Sequence, residues 1–212
     1  MSSSVQRKRI RKDPAARRAE IVDAAAVVAL TEGLECITLR RIGEELAVRP
    51  GLISHYFPSA EDLVAEAFGS AASAELDRLL PAGRPDGTEG TPARHLARFL
   101  ARTSGEAYDA ISRLWINARH LSRYRPVLRD RVAEQEGAWR GRLEELIRDG
   151  VAAGEFRTDD PLATAIQILV VLDGLGAHAN TATPRRPDAV IRMAVTTAER
   201  ELGLAAGALA AD

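Results

Sequence analysis

The chain of 212 residues has one cysteine, two methionines and few aromatic residues. Cys36 alone forms no internal disulfide, so nothing indicates an oxidising compartment. Its apolar neighbours favour a small core side chain over a reactive thiol, because buried thiols are usually inert.

Long hydrophobic runs are also missing. The longest, Ala163 to Leu172, is interrupted by Gln167 and is followed by Asp173 and Gly174, which is too short for a membrane span. The basic N-terminal stretch is not followed by the apolar segment of a signal peptide. We therefore expect a cytoplasmic protein that makes no membrane contact.

Catalytic and metal-binding motifs are not recognisable. The four histidines show no ligand spacing with Cys36, and no glycine-rich phosphate loop or nucleophile elbow occurs. We expect a protein that is not an enzyme and that uses no cofactor or metal. A helical enzyme carrying a fused DNA-binding unit remains a remote alternative.

No alternating apolar pattern typical of strands is sustained, and the composition is that of a globular protein, so the sequence predicts an all-α fold. Capping residues before prolines, such as Asp13, Thr91 and Asp160, mark helix starts, and Ser59 with Asp62 marks another. About nine helices are predicted, over 14–31, 38–46, 50–57, 59–80, 92–103, 106–122, 126–153, 161–179 and 187–203.

Charge is unevenly distributed along the chain. Residues 1–60 carry a net charge of +3 and the remainder −4, as expected if one end faces phosphates. We divide the chain into a flexible basic arm (1–13), an N-terminal domain (14–58), a connecting helix (59–80), a linker (81–91), a larger C-terminal domain (92–204) and a frayed tail (205–212).

The two short helices near the N-terminus have the spacing of a helix-turn-helix. Ile42, Leu46, Ile53 and Phe57 would face inward, with Val48 in the turn. The second helix of such a unit enters the major groove with its N-terminal end. The same spacing also occurs in helical proteins that never meet DNA. The candidate DNA-binding residues are Thr38, Arg40, Arg41, Arg49, Pro50, Gly51, Leu52, Ser54, His55 and Tyr56.

Residues 14–68, with the text RRAEIVDAAAVVALTEGLECITLRRIGEELAVRPGLISHYFPSAEDLVAEAF, resemble the DNA-binding domain of the TetR family of bacterial repressors. The motif ISHYF resembles the choline-repressor-like (BetI-like) branch. The resemblance implies that Thr38 and Tyr56 bind phosphates and that Arg40, Gly51, Leu52, Ser54 and His55 approach bases. The chain departs from the family at Ala60, where lysine is usual, at Ala47, where glycine is common, and at Ser54, where tyrosine is common.

The C-terminal part resembles the ligand-sensing and dimerising domain of the same branch, through WINARHLSRYRPVLRDRV, IRDGVAAGEF and DPLATAIQILVVLDGL. Independently, the helix over 161–179 is apolar on all sides, so it needs cover on more than one face. A four-helix interface between two copies would provide that cover. The candidate interface residues are Leu162, Ile166, Leu169, Val170, Val190, Ile191, Ala194, Val195 and Ala198.

Aromatic and polar residues of the C-terminal part suggest a ligand pocket. Asp173 with Trp115 or Trp139 could hold a cation. We favour the alternative, in which these aromatics are core and Asp173 pairs with an arginine or a backbone N–H, because aromatic stripes usually serve packing. The candidate pocket residues are Phe99, Trp115, Asn117, His120, Tyr124, Trp139 and Asp173.

The sequence therefore predicts a TetR-type repressor. It would bind a palindromic double-stranded DNA operator as a homodimer and leave it when an unknown small-molecule effector binds. The alternatives are a TetR-like activator and a DNA binder that senses no ligand.

Overall fold

The computed structural model describes residues 13–83, 90–103, 106–181 and 187–210. Within these ranges there are ten α-helices, a short 3₁₀ turn at Leu34–Cys36 and no strand, so the all-α prediction is confirmed. The helices are α1 (Pro14–Thr31), α2 (Leu39–Glu45), α3 (Pro50–Tyr56), α4 (Ala60–Leu79), α5 (Pro92–Arg102), α6 (Glu106–Ser122), α7 (Pro126–Ala152), α8 (Pro161–Ala179), α9 (Asp188–Ile191) and α10 (Met193–Glu201).

Helix starts follow the capping residues that the sequence indicates. The side chains of Asp13, Thr91 and Asp160 accept hydrogen bonds from backbone N–H groups in the first turns of α1, α5 and α8. Ser59 does the same for α4. Each bond satisfies a donor that the helix itself leaves unpaired, which places these starts at the predicted positions.

The last predicted helix, over 187–203, is wrong in one respect. The backbone turns at Arg192, with φ −84° and ψ 3°, and separates α9 from α10. Pro187 precedes α9 instead of starting it. Arg192 is neither glycine nor proline, so residue type gives no signal for this break.

Two buried clusters form the interior. The first joins α1–α4 to α6 and α7, with Ile21, Phe68 and Leu114 almost fully buried. The second lies among α4, α5, α7, α8 and α10 around Phe99 and Leu143. Since α4, α6 and α7 take part in the first cluster, the N-terminal helices share their core with the larger C-terminal part.

Two expectations about exposure are wrong. Cys36 is exposed, because it ends the 3₁₀ turn on the surface. In the tail, Leu209 is 1% exposed and its N–H donates to Glu199 at 3.0 Å, so the tail is anchored to α10 at Leu209 instead of fraying. The basic arm, apart from Asp13, and linker residues 84–89 lie outside the described residues.

Helix α8 is unusually apolar for its position. In the described part of the chain it alone is long and apolar enough to cross a membrane by length and composition, yet only 28% of it is buried. Leu162, Ile166 and Val170, spaced by one helical turn, remain 40–61% exposed. We call these three residues the α8 stripe. Such a surface is typical of a helix that packs against another protein surface.

Candidate nucleic-acid interface and ligand cavity

The close crossing of α2 and α3 depends on small residues in their turn. A Cβ atom on Gly43 would lie 3.1 Å from the backbone oxygen of Val48 and 3.4 Å from the nitrogen of Pro50. Ala47 adopts φ 51°, a left-handed conformation that side chains other than glycine rarely take. Ile42, Ile53 and Phe57 are buried beneath the pair. The inward face of α3 is therefore held while its other face stays in solvent.

The outer face of α3 is open. Arg49, Pro50, Gly51, Ser54 and His55 are exposed, and Leu52 and Tyr56 are half-buried. A Cβ atom added to Gly51 would meet nothing within 4 Å, so an approaching surface could contact the helix backbone there. The rings of His55 and Tyr56 pack edge to face, 5.2 Å between centroids. The leading end of α3 has the shape needed to enter a groove.

The two arginines of α2 differ in their exposure and in the number of ion pairs that hold them. Arg40 is 83% exposed and, among the described residues, forms an ion pair only with Glu44, at 2.8 Å. Arg41 is 31% exposed and lies between Glu32 and Glu45, at 2.5 and 2.7 Å. These carboxylates raise the pKa of the Arg41 guanidinium further. Arg40 can turn to a phosphate by giving up one exposed ion pair, whereas Arg41 must break two.

Thr38 lies at the start of α2. Its hydroxyl accepts the N–H of Arg41 at 3.0 Å, so this oxygen already caps the helix. The hydroxyl hydrogen and the exposed position remain compatible with a phosphate contact. All ten predicted DNA-binding residues thus lie on α2, α3 and the turn between them, or at the start of α2.

A cavity of about 230 Å³ lies between α4, α6, α7 and α8. We call it the central cavity. Trp115, Trp139 and Asp173, which the sequence analysis selected, line it together. The sequence analysis assigned three further lining residues, Ile166, Leu169 and Val170, to the dimer interface. It did not select the remaining lining residues: Glu75, Tyr108, Ile111, Arg119, Glu136, Arg140 and Leu172.

Arg119 organises the polar side of this cavity. Its guanidinium donates to Asp173 at 2.8 Å and to Glu136 at 2.9 Å, and lies 5.1 Å from the centre of the Trp115 ring. Partial burial raises the pKa of the Asp173 carboxyl, although the Arg119 guanidinium draws it down. Burial also raises the pKa of Tyr108, which remains a neutral phenol. The sequence alternative in which Asp173 pairs with an arginine is the arrangement observed.

The two tryptophans form perpendicular walls, with 6.4 Å between ring centroids and 85° between planes. The indole N–H of Trp139 is buried and meets no hydrogen-bond acceptor among the described residues. A buried donor without a partner is costly to the fold.

The other predicted pocket residues lie elsewhere. Phe99 is buried behind Trp139, 6.5 Å between centroids, and belongs to the core. His120 and Tyr124 pack on each other, and Tyr124 is 75% exposed. Asn117 binds the turn after α1: its oxygen accepts the N–H of Leu34 at 2.9 Å and its amide donates to Glu35 at 2.6 Å. None of these four lines the central cavity.

A second cavity, of about 250 Å³, lies beside the end of α4. Arg142 and Arg102 on its wall donate to the carbonyls of Leu80 and Arg78, and Arg142 also pairs with Asp77. These arginines satisfy the last carbonyls of α4, which is an ordinary way to end a helix. Their placement is explained by the fold.

The predicted interface residues divide into two sets. The α8 stripe and Ile191 are exposed, and Leu169, Val190 and Val195 are half-buried. Ala194 and Ala198 are 4% and 0% exposed, because this side of α10 packs into the second cluster of the same chain. A partner could meet α8 directly but would reach only the outer sides of α9 and α10.

Two family models match the chain. Residues 21–67 match the model of bacterial regulatory proteins of the tetR family. Residues 93–203, more than half of the chain, match the model of the C-terminal region of BetI-type transcriptional repressors.

Relatives agree with these matches. The HTH-type transcriptional repressor KstR2 of Rhodococcus jostii is 29% identical over 160 residues, which cover 72% of this chain and 74% of that protein. The fold is similar to a TetR-family transcriptional regulator from Rhodococcus sp., with TM-score 0.73, 20% identity and 89% and 99% of the two chains covered. It is also similar to a transcriptional regulator from Saccharomonospora viridis in complex with choline, with TM-score 0.72, 21% identity and 89% and 98% covered.

Proposed function

The chain belongs to the TetR family of bacterial transcriptional repressors, and we propose that it binds a palindromic operator as a homodimer and is released by a small molecule in the central cavity. Family membership makes it a transcription factor and not an enzyme. As a regulator of bacterial genes, it would act in the cytoplasm, where the DNA is.

The open face of α3 is the observation that carries the proposal. The helix is anchored by Ile53 and Phe57 and offers Gly51, Ser54 and His55 to a major groove. Arg40, held by one exposed ion pair, would turn to a base or a phosphate, and Tyr56 would donate its hydroxyl to a phosphate. Arg41 would mainly hold α2 in place.

A dimer explains the α8 stripe. Three apolar side chains in one line along a helix lose contact with water when a second copy covers them, which stabilises the pair in proportion to the area buried. A two-fold axis at α8 would bring the α3 helices of two subunits to one duplex. Half-sites about 34–36 Å apart would follow from that symmetry.

Effector release would work through α4. Glu75 of α4 lines the central cavity, and Glu66, two to three turns earlier on the same helix, pairs with Arg18 of α1. A molecule that displaces α4 at the cavity would therefore move the DNA-binding helices. The choline complex of a structural neighbour supports a ligand site in this fold, without identifying the ligand here. A coupling free energy of about 1–3 kcal/mol is typical of such regulation.

The proposal is tested with the promoter of the chain's own gene. Fluorescence anisotropy on footprinted fragments should give a nanomolar dissociation constant and two chains per site. The affinity for the operator should decrease steeply as the salt concentration rises. A palindrome with half-sites one turn apart should suffice. Binding to all sequences alike would contradict the operator proposal.

A metabolite screen on the bound complex tests release. At least one small molecule should raise the operator dissociation constant, and the variant Leu172→Trp, which fills the cavity, should respond less. Operator binding that no compound alters would favour the alternative of a DNA binder without ligand sensing. A reporter gene that is expressed more strongly with the protein present would favour an activator.

A further inference from the structure

Arg119 makes the contacts that a bound organic cation would make. Its guanidinium lies over the face of Trp115 and between two carboxylates, those of Glu136 and Asp173. An aromatic face together with carboxylates is how proteins hold alkylammonium and guanidinium groups. The cation position of the central cavity is therefore filled by the chain's own side chain.

The remaining acidic group of the lining also has an arginine partner. Glu75 is paired with Arg78 at 2.7 Å, and its side chain is only 12% exposed. Every carboxylate among the described lining residues thus faces an arginine of the same chain. Arg140, a further lining residue, adds positive charge. The three lining carboxylates outnumber the two lining arginines, so an incoming cation is excluded because the place over Trp115 between Glu136 and Asp173 is already occupied, and not by net charge.

We propose that Arg119 acts as an internal occupant of the cation position and so determines the ligand class of the central cavity. The effector is then an apolar molecule without a positive charge, held against Ile111, Leu169 and Leu172. This inference rests on the proposed effector role of the cavity. It assigns to Arg119 the selection against organic cations.

Removing the side chain should open the cation position. In Arg119→Ala the carboxylates of Glu136 and Asp173 lose their partner and the Trp115 face becomes accessible. Tetramethylammonium and ethylguanidinium, which carry the charge on a small apolar body, should then bind at least about tenfold more tightly than to the unaltered protein. The measurements are isothermal titration and the rise in melting temperature with added cation.

Two control variants distinguish the space that the Arg119 side chain occupies from the positive charge that it carries. Arg140→Ala removes a lining arginine that has no ion pair among the described residues, so it should gain no cation binding. Arg119→Met removes the charge but keeps the volume, so it should also gain little. Of these three single variants, only Arg119→Ala is expected to gain binding of the two cations.

A second variant tests the proposal even if Arg119→Ala fails to fold. Arg119→Ala/Glu136→Gln leaves a single carboxylate, Asp173, beside the ring, which lowers the repulsion and should still bind both cations. Failure of both variants to fold even with ethylguanidinium present would overturn the proposal, because that cation should replace the lost group. Equal binding by the unaltered protein, or none by a folded Arg119→Ala, would overturn it as well.

These titrations need no DNA, so they are independent of the operator test. A protein that binds its operator, and whose Arg119→Ala variant takes up no cation, would refute only the role of Arg119. A protein without operator binding whose variant does take up cations would refute only the proposed regulation.

Discussion

At the scale of single residues, Ala47 is the clearest place where the chain departs from what its backbone favours. It takes φ 51° in the turn between α2 and α3. An L-residue in that conformation costs about 1–2 kcal/mol, because its Cβ crowds the following carbonyl. The family resemblance already singled out this position, where glycine is common.

Ala47→Gly should therefore stabilise the protein. The relief of left-handed strain exceeds the extra entropy that glycine gives the unfolded chain, so the free energy of unfolding should rise by about 0.5–1 kcal/mol. Urea denaturation measures this. The control is Ala138→Gly, at an exposed helical position of α7. This change should lower the free energy of unfolding by about 1 kcal/mol. Destabilisation by Ala47→Gly would contradict the strain argument.

At the scale of elements, Asn117 connects α6 to the DNA-binding helices. It lies on α6, two residues from both Trp115 and Arg119, and bonds the turn that follows α1. Leu34, whose N–H it accepts, is fully buried. Movement of α6 at the central cavity would consequently reach the N-terminal helices through this side chain as well as through α4.

Asn117→Ala should lower the free energy of unfolding by about 1–3 kcal/mol, since the Leu34 N–H loses its acceptor inside the protein. Glu35→Ala is the control. It removes only the exposed half of the connection and should cost less than about 1 kcal/mol. Denaturant unfolding of both variants measures the difference, and equal effects would show that the bond to Leu34 contributes nothing.

Helix positions were largely predictable from the sequence, because caps and prolines act locally. The bounds of α1, α6 and α8 match the prediction, and most others differ by one residue at either end. The break at Arg192 was not predictable. Its residue type suits a helix interior, so nothing in the local sequence marks the bend.

Cavity residues were less predictable, because they come together only in three dimensions. Trp115, Trp139 and Asp173 carried a sequence signal, being aromatic or charged in apolar surroundings. Arg119, Glu75 and Glu136 did not, since charged residues on amphipathic helices usually face water. His120 and Tyr124 were selected as aromatic or polar residues of the C-terminal part, whereas they lie where α6 ends at the surface.

At the scale of the whole molecule, the α8 stripe connects cavity and assembly. Ile166 and Val170 belong to the stripe and also line the central cavity. The cavity therefore borders the surface that the proposed partner copy would cover. A ligand there would be able to influence the relative orientation of two subunits as well as α4.

Val170→Glu should separate the proposed dimer. Val170 is 61% exposed in the single chain, so a charge there leaves the interior of the chain undisturbed but is strongly unfavourable in an apolar interface. Sedimentation should give the mass of one chain, 22.9 kDa, instead of two. The control, Val27→Glu on α1, replaces a residue that is 55% exposed and should remain dimeric. A dimeric Val170→Glu protein would place the interface elsewhere.

The central claim is that α2 and α3 of two subunits read one DNA site. Its most direct test is the operator affinity of Arg40→Ala/Tyr56→Ala, measured by anisotropy with the dimer verified by sedimentation. Loss of two contacts from each subunit should weaken binding by roughly a hundredfold or more, whereas Arg148→Ala, an exposed arginine on α7, should change nothing. An unchanged affinity of the dimeric double variant would contradict the account.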